Sequence, residues 1–374
     1  MTSGCVVELF AGAGGASAGV RAVVPGARHV SVDLDPAACA VMRAAWPDGE
    51  VHEGDVGAVL ASGVLPRGPD LMWASPPCQP YSLAGRRRGA ADERDCWPVT
   101  LEAVRVLQPE RVAIENVIGA PVEAWRQQIA DLGYHADVWT LDAADFGVPQ
   151  RRRRHFVVGV RGIADELRAP RPTHSGVALA HAKWTTGTYW GEHGMAATSP
   201  GPMTAWERRA LRCLPDGLVR WRTVRDALGG GNALPAVESW RLDLPSPSVL
   251  ATEERGATQR ADAIAKAGYR DPSVGAGPSR ASDMLMLATG RRRLEPEECA
   301  ILQDFPSDHP WSVVRTKGAR YLCAGNAVPP ALAAAVCSGL FRSVPFHIGT
   351  GDGQSVNIAL ARDVQNGSQE VSDE

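Results

Sequence analysis

The chain has few lysines, no long apolar run and no signal-like start, and each absence excludes a class of protein. Only Lys183, Lys266 and Lys317 are lysines, so arginine carries nearly all of the positive charge. No apolar stretch approaches the roughly 20 residues that a membrane-spanning helix needs. The N-terminus enters a predicted strand at Cys5 without a basic or signal-type segment, and we therefore expect a protein that is neither membrane-bound nor exported.

The eight cysteines are scattered, without CxxC pairs and without histidines at metal-ligand spacing. This pattern argues against a structural zinc site and against a disulfide framework, and it favours a reducing cytoplasm. The cysteines are Cys5, Cys39, Cys78, Cys96, Cys213, Cys299, Cys323 and Cys337.

The arginines are clustered, although the net charge of −3 alone does not indicate a nucleic-acid-binding protein. Runs occur at residues 86–88, 151–154 and 291–293. A GC-rich coding bias would also favour arginine. Because arginine suits phosphates and guanine edges, and because two runs lie beside the motifs described below, the runs favour a functional role.

Residues 5 to 160 alternate short apolar runs with amphipathic stretches, which predicts successive βα units on a parallel sheet. The predicted helices lie at 16–24, 36–46, 97–106 and 122–132. The predicted strands lie at 5–10, 29–33, 50–52, 70–74, 111–115, 137–141 and 155–160.

The chain is long enough for two domains, and the alternation ends near residue 161. We predict a first domain that begins with 1–161 and is completed by 288–345, where 330–341 reads as an Ala-rich helix. A smaller, loop-rich domain with short strands is predicted over 162–287, with its tryptophans more often in the core than on the surface. The polar residues 346–374 are expected to be a disordered tail.

The most informative segment is ASPPCQPYS at 74–82, which follows an apolar predicted strand. Pro76 and Pro77 stop any helix and fix the backbone directly before Cys78. The carboxyl end of a parallel strand is where an open α/β sheet places its chemistry. A free cysteine taken alone is as often a small buried apolar residue.

A second segment, VVELFAGAGG at 6–15, runs from a strand into a glycine-rich turn that lets the backbone approach a ligand closely. Asp33 ends the second predicted strand, where a carboxylate suits ribose hydroxyls. Asp55 follows the third strand and could accept from an adenine amino group. Either acid could instead be a helix N-cap. Phe10 and Leu34 are placed to sandwich an adenine ring.

Three further segments complete the pattern. The strand at 112–117 ends in Glu115, which should project into the same cleft as Cys78. In QRRRR at 150–154, Arg152 and Arg154 share one face of a strand. GNAVPP at 325–330 precedes the last predicted helix.

In this order and spacing the segments resemble those of the cytosine-5 DNA methyltransferases of bacteria and phages, over about residues 5–160 and 290–342. The resemblance implies an α/β fold: a doubly wound, Rossmann-like, class I S-adenosylmethionine-dependent methyltransferase domain with a smaller loop-rich target-recognition domain at 162–287. It implies transfer of a methyl group to carbon 5 of a cytosine flipped out of a specific DNA sequence. No metal is implied.

The resemblance assigns catalysis to Cys78, Glu115, Arg152 and Arg154. A thiolate is needed to attack carbon 6 of the base. We therefore expect a cation beside Cys78, for which Arg154 is the best candidate. Glu115 would contact N3 and the exocyclic amine, and the two arginines would hold the base through O2.

The implied ligand residues fall into two groups. S-adenosylmethionine would contact Phe10, Gly12, Gly14, Gly15, Asp33, Leu34, Asp55, Val56, Pro77, Asn326 and Val328. DNA phosphates would contact Arg86, Arg87 and Arg88, which lie in a Gly-flanked loop after Cys78.

The implied partner is double-stranded DNA, bound by a cytoplasmic monomer that acts beside a restriction endonuclease encoded nearby or as a solitary methylase. A tRNA cytosine-5 methyltransferase is an alternative that the long middle region disfavours. A second alternative is a catalytically inactive DNA-binding homologue. The presence of Cys78, Glu115 and Arg154 disfavours it. A Rossmann oxidoreductase fits the glycine loop but leaves Cys78 and Glu115 without a role.

Overall fold

A seven-stranded sheet forms the centre of the protein. The computed structural model describes residues 4–78, 81, 95–162, 167–195, 203–229, 242–246, 248 and 294–341, and the backbone of two strands at 346–349 and 355–358. The sheet order is β3-β2-β1-β4-β5-β7-β6. Its strands are β1 (Cys5–Leu9), β2 (Arg28–Asp33), β3 (Glu50–Glu53), β4 (Leu71–Ala74), β5 (Arg111–Val117), β6 (His135–Asp142) and β7 (Arg153–Val160).

The sheet is parallel except for β7, which pairs antiparallel with both β5 and β6. The predicted all-parallel sheet is therefore wrong at this strand. Only a 3₁₀ helix (Ala143–Phe146) and a short loop join β6 to β7, too little chain for the crossover that a parallel neighbour needs. The reversal brings Arg154 opposite Val117, at the carboxyl end of β5.

Helices cover both faces of this sheet, and the four predicted from the sequence of the first domain are all present. A fifth, short helix follows β3. The helices of this part are α1 (Gly15–Val23), α2 (Pro36–Ala45), α3 (Val56–Ala61), α4 (Trp97–Leu107) and α5 (Val122–Asp131).

The middle region contains more helix than strand, contrary to our expectation of short strands. Only a two-residue parallel pair was found among its described residues, β8 (His174–Ser175) with β9 (Val219–Arg220). Its helices are α6 (Gly176–Trp184), α7 (Thr188–Glu192), α8 (Ala205–Ala210) and α9 (Val224–Leu228). Tyr189, Trp190 and Trp221 are buried in its core, as predicted for tryptophans there.

The C-terminal part of the chain returns to the first domain through α10 (Pro296–Leu302), a 3₁₀ helix (Trp311–Val313), α11 (Lys317–Asn326) and α12 (Pro330–Leu340). Every residue of α12 is buried. By length and composition Lys317–Leu340 could cross a membrane, but 89% of its apolar window is buried inside the protein. It is therefore core.

Helix α12 packs closely on α1 because glycines in α1 leave room for it. A Cβ on Gly19 would lie 2.7 Å from the backbone nitrogen of Ala334 and 2.8 Å from the Cβ of Ala333. A Cβ on Gly15 would lie 3.1 Å from the Cβ of Ala327. An early and a late helix of the catalytic part are thereby joined in one core.

Two short strands are described within 346–374, where we expected a disordered tail: β10 (Phe346–Gly349) and β11 (Ser355–Ile358), which pair antiparallel. Both contain residues that favour strands, Phe346 and Ile348 in β10 and Val356 and Ile358 in β11, and the expectation gave these less weight than the polar composition.

Candidate active site

The candidate nucleophile follows β4 at the carboxyl edge of the sheet. Residues 75–78 leave the buried strand, and the side-chain amide of Asn116 at the end of β5 donates to the carbonyl oxygen of Pro76 at 3.2 Å. The backbone N–H of Tyr81 donates to the carbonyl oxygen of Cys78 at 3.0 Å. These bonds hold Cys78, which is half-buried, at the end of the strand.

Glu115 and Arg154 form an ion pair beside this cysteine. Nε of Arg154 lies 2.8 Å from Oε1 of Glu115, and the two side chains are 14% and 11% exposed. Both residues belong to the paired strands β5 and β7, so the sheet fixes their backbones. Both side chains act electrostatically on Cys78, so the structure brings the three residues together.

The Cys78 thiol is not activated in this arrangement. Burial raises its pKa, the nearby charge of Glu115 raises it further, and Arg154 and Arg152 oppose both effects. Arg154 is thus a cation that acts on Cys78, as expected, but its effect on the pKa of the thiol is outweighed by burial, the largest effect, together with the charge of Glu115.

Arg152 lies deeper than Arg154 and faces another part of the chain. It is 4% exposed, and its guanidinium donates to the carbonyl oxygen of Gly325 at 3.1 Å. Its backbone N–H donates to Oδ1 of Asp142. Because Gly325 lies in the last turn of α11, Arg152 places a buried cation at the negative end of that helix.

The cleft expected for the cofactor, which we call the glycine-loop cleft, lies at the carboxyl ends of β1 and β2, where the glycine loop turns. Phe10, Gly12 and Gly14 have φ values of 57°, 56° and 84°, so three residues of the loop are left-handed. The backbone N–H of Gly12 donates to Oδ2 of Asp33 at 2.7 Å. A side chain on Gly14 would overlap Trp46. Glycine is required there by both conformation and space.

Apolar and acidic side chains surround this loop. Leu34, directly after Asp33, is 69% exposed, so its side chain is free to contact a ligand at this edge of the sheet. Phe10 is half-buried one strand away. Asp55 caps α3 through a 3.0 Å bond from the N–H of Ala58, so the capping alternative is observed. Val56 is buried beneath it.

The remaining predicted ligand residues lie near the same cleft or beyond the described chain. Pro77 is half-buried before Cys78, and Asn326 is exposed at the end of α11. The side chain of Val328 is buried in the core between the sheet and α12. Arg86, Arg87 and Arg88 lie outside the described residues.

Two side chains from the C-terminal part of the chain bond backbone carbonyls near these residues. The side-chain amide of Gln303 donates to the carbonyl oxygen of Ala324, next to the Gly325 carbonyl that Arg152 binds. His309 bonds the carbonyl oxygen of Ala13 in the glycine loop. His309 carried no motif signal in the sequence.

Comparison with known proteins identifies the family. A family model for C-5 cytosine-specific DNA methylases matches residues 5–183 and 238–342. The chain belongs to this family.

The chain is similar to curated bacterial proteins and to solved structures. Type II methyltransferase M.NgoMIV of Neisseria gonorrhoeae is 29% identical over 350 residues, which is 88% of this chain and 95% of that protein. Type II methyltransferase M.AquIA of a Picosynechococcus strain is 36% identical over 193 residues, 45% of this chain and 76% of that protein. The structure of S. pombe Dnmt2 methyltransferase aligns with a TM-score of 0.56 at 16% identity, covers 91% of this chain and 99% of its own, and supports the fold alone.

Proposed function

We propose that the protein transfers a methyl group from S-adenosylmethionine to carbon 5 of a flipped cytosine in a specific sequence of double-stranded DNA. The observation that carries the proposal is the meeting of Cys78, Glu115 and Arg154 at one sheet edge, beside a glycine-loop cleft. We infer that it acts as a cytoplasmic monomer.

The chemistry follows from the weakness of cytosine carbon 5 as a nucleophile. The Cys78 thiolate forms a bond to carbon 6, which turns the ring into an enamine whose carbon 5 can accept the methyl group. Glu115 contacts N3 and the exocyclic amine and balances the charge that the ring acquires. Solvent would then take the carbon 5 proton, and the electron pair of that bond would re-form the carbon 5–carbon 6 double bond and expel Cys78 as a thiolate, which gives 5-methylcytosine.

The raised pKa of the Cys78 thiol suggests when activation occurs. A base seated on Glu115 offsets the carboxylate charge that raises the pKa of Cys78. Arg154 and Arg152, which lower it, remain in place. Deprotonation is thereby coupled to entry of the cytosine, and an idle enzyme keeps a thiol of low reactivity.

The glycine-loop cleft has the features that S-adenosylmethionine requires. Its flat adenine would lie between exposed Leu34 and Phe10, its ribose hydroxyls near Asp33 and its amino group near Asp55. Asn326 and Pro77 would line the side toward Cys78. When bound, the cofactor supplies an electrophilic methyl group.

We assign a different role to each of the two domains. Residues 1–161 and 288–345 form the catalytic domain, and α12 completes it by packing on α1. Residues 162–287 read the DNA sequence. Arg86, Arg87 and Arg88 hold phosphates while the base is flipped. Exchanging the stretch 185–281 for that of a relative should move methylation to another sequence, whereas replacing the three arginines should weaken binding to all sequences and flatten its salt dependence.

The biological setting we propose is DNA modification, beside a restriction endonuclease encoded nearby or alone. The curated relatives are named Type II methyltransferases, which supports the first setting. No contact with an endonuclease is implied. Bisulfite sequencing of DNA from cells that express the protein would identify the methylated sequence.

The decisive experiment offers the purified protein duplex DNA and tRNA with radiolabelled S-adenosylmethionine. We expect label in DNA only, and none with Cys78→Ala, which should still bind the cofactor. Duplex DNA containing 5-fluorocytosine should trap an adduct at Cys78, because fluorine cannot leave as a proton does. Label in tRNA alone, or an adduct at another cysteine, would contradict the proposal.

A further inference from the structure

A histidine from the C-terminal part of the chain holds the glycine loop. Nε2 of His309, between α10 and the 3₁₀ helix at 311–313, lies 3.0 Å from the carbonyl oxygen of Ala13. A carbonyl only accepts, so Nε2 carries the hydrogen. Burial lowers the pKa of His309, so the ring is neutral with its proton on Nε2.

Aromatic rings fix the orientation of this imidazole. Its centroid lies 4.8 Å from those of Phe305 and Trp311 and 5.8 Å from that of Trp46. The side chain is 7% exposed. Trp46 also occupies the space that a side chain on Gly14 would need, so the same rings confine the histidine and the loop.

The loop is thus held from two sides. Asp33 accepts from the N–H of Gly12, and His309 donates to the carbonyl of the next residue, Ala13. Gly12 and Gly14 on either side are left-handed. Glycines lose the most conformational freedom on ordering, so a loop already fixed costs the ligand less to bind.

We propose that His309 is a positioning residue that pre-organises the glycine loop for the cofactor, which rests on the proposed function. It contacts the loop backbone from outside the cleft and takes no part in the chemistry. Its loss should therefore weaken cofactor binding and leave DNA binding and the chemical step unchanged.

The experiment compares full-length wild type with His309→Phe, which keeps an aromatic ring and removes the donor. Titration calorimetry with S-adenosylmethionine should show that the variant binds about tenfold more weakly than wild type. This corresponds to a loss of about 1.4 kcal/mol in binding free energy. At saturating cofactor, kcat and the KM for DNA should stay within about twofold of wild type, because His309 does not contact the reacting atoms or the DNA. His309→Gln, which restores an N–H donor, should recover most of the affinity. His135→Phe, at an exposed position on β6, is the matched control.

The outcomes separate the two proposals. If wild type binds no S-adenosylmethionine, the proposed function and the role of His309 fail together. If wild type binds and His309→Phe binds equally well, only the role of His309 is wrong. If His309→Phe lowers the Tm of the ligand-free protein and weakens DNA and cofactor binding alike, the histidine is merely structural and the inference is overturned.

Discussion

The Nε of Arg154 lies 2.8 Å from Oε1 of Glu115, so the cation expected to activate Cys78 is paired with the carboxylate expected to bind the base. The residue proposed to bind the base and the cation beside the nucleophile are therefore in direct contact. Whatever weakens the charge of Glu115 should also favour the thiolate, because Glu115 raises the pKa of Cys78 while Arg154 lowers it.

Glu115→Gln should therefore make Cys78 react several-fold faster with iodoacetamide near neutral pH, although the variant should not methylate DNA. Arg154→Met should have the opposite effect on the thiol. Adding Cys78→Ser to each variant measures alkylation of the other cysteines, above all exposed Cys213, and this background rate is subtracted. Equal rates in wild type and Glu115→Gln would show that the carboxylate does not control the thiol.

The two acids of the cofactor cleft can be separated by mutation. Asp33→Ala removes the acceptor for the Gly12 N–H and should weaken cofactor binding by about 1–3 kcal/mol, measured by calorimetry. Asp55→Ala should weaken binding and also cost about 1 kcal/mol of stability, since Asp55 caps α3.

Asp55→Ser is the matched control for the second acid, because serine keeps a cap but is too short to reach an adenine amino group. It should restore the Tm and leave the cofactor affinity low. If Asp55→Ser binds the cofactor as well as wild type does, Asp55 is a cap and nothing more.

The contact between α1 and α12 predicts a large effect from one methyl group. Gly19→Ala should destabilise the protein by about 1–3 kcal/mol or more, because its Cβ would meet the backbone of α12. Gly191→Ala in α7 adds the same methyl group where nothing lies within 4 Å and should be neutral or slightly stabilising. Thermal unfolding of both variants tests this, and similar Tm values would contradict the tight packing.

Glu8 should make stability depend on pH. Burial raises its pKa from 4.5 to about 7, while the hydroxyl of Ser17 opposes the shift. Between pH 4.5 and about 7 the folded protein keeps a proton that the unfolded chain releases, so stability falls as the pH rises through this range. Well below pH 4.5 both states are protonated and above about pH 7 both are ionised, so the cost is absent in the first case and constant in the second.

Glu8→Gln removes this cost and keeps the shape. Relative to wild type, the variant should gain about 2 kcal/mol in unfolding free energy between pH 5 and pH 8, measured with urea. Groups that titrate in both proteins contribute equally to the two unfolding free energies and cancel in the difference between them. A constant difference between the two across this pH range would rule out a buried, protonated Glu8.

Much of the catalytic domain was predictable because its signals are local. The strands that place Glu115 and Asp33 are apolar runs, and a glycine-rich turn beside a strand is visible in sequence. The antiparallel β7 was not predicted, since strand direction depends on which neighbour a segment pairs with. The ion pair between Arg154 and Glu115 was not predicted either, because it follows from the pairing of β5 with β7.

His309, which sequence reasoning missed, acts through the backbone. It bonds the carbonyl of Ala13 far away in the chain, and a carbonyl carries no sequence signature. The family signal, by contrast, lies in side chains at fixed spacing and was recognisable at once. The middle region was the least predictable, since its short helices are stabilised by a buried aromatic cluster rather than by a regular apolar period.

The joining of α1 to α12 also sets the order in which the enzyme can be made. On the ribosome, α1 and the first strands are made long before α12, the helix that covers them. Until α12 has emerged, the nascent chain exposes one face of its sheet to chaperones and to aggregation. A chain that stalls before α12 should therefore have no methylase activity, because its core is incomplete.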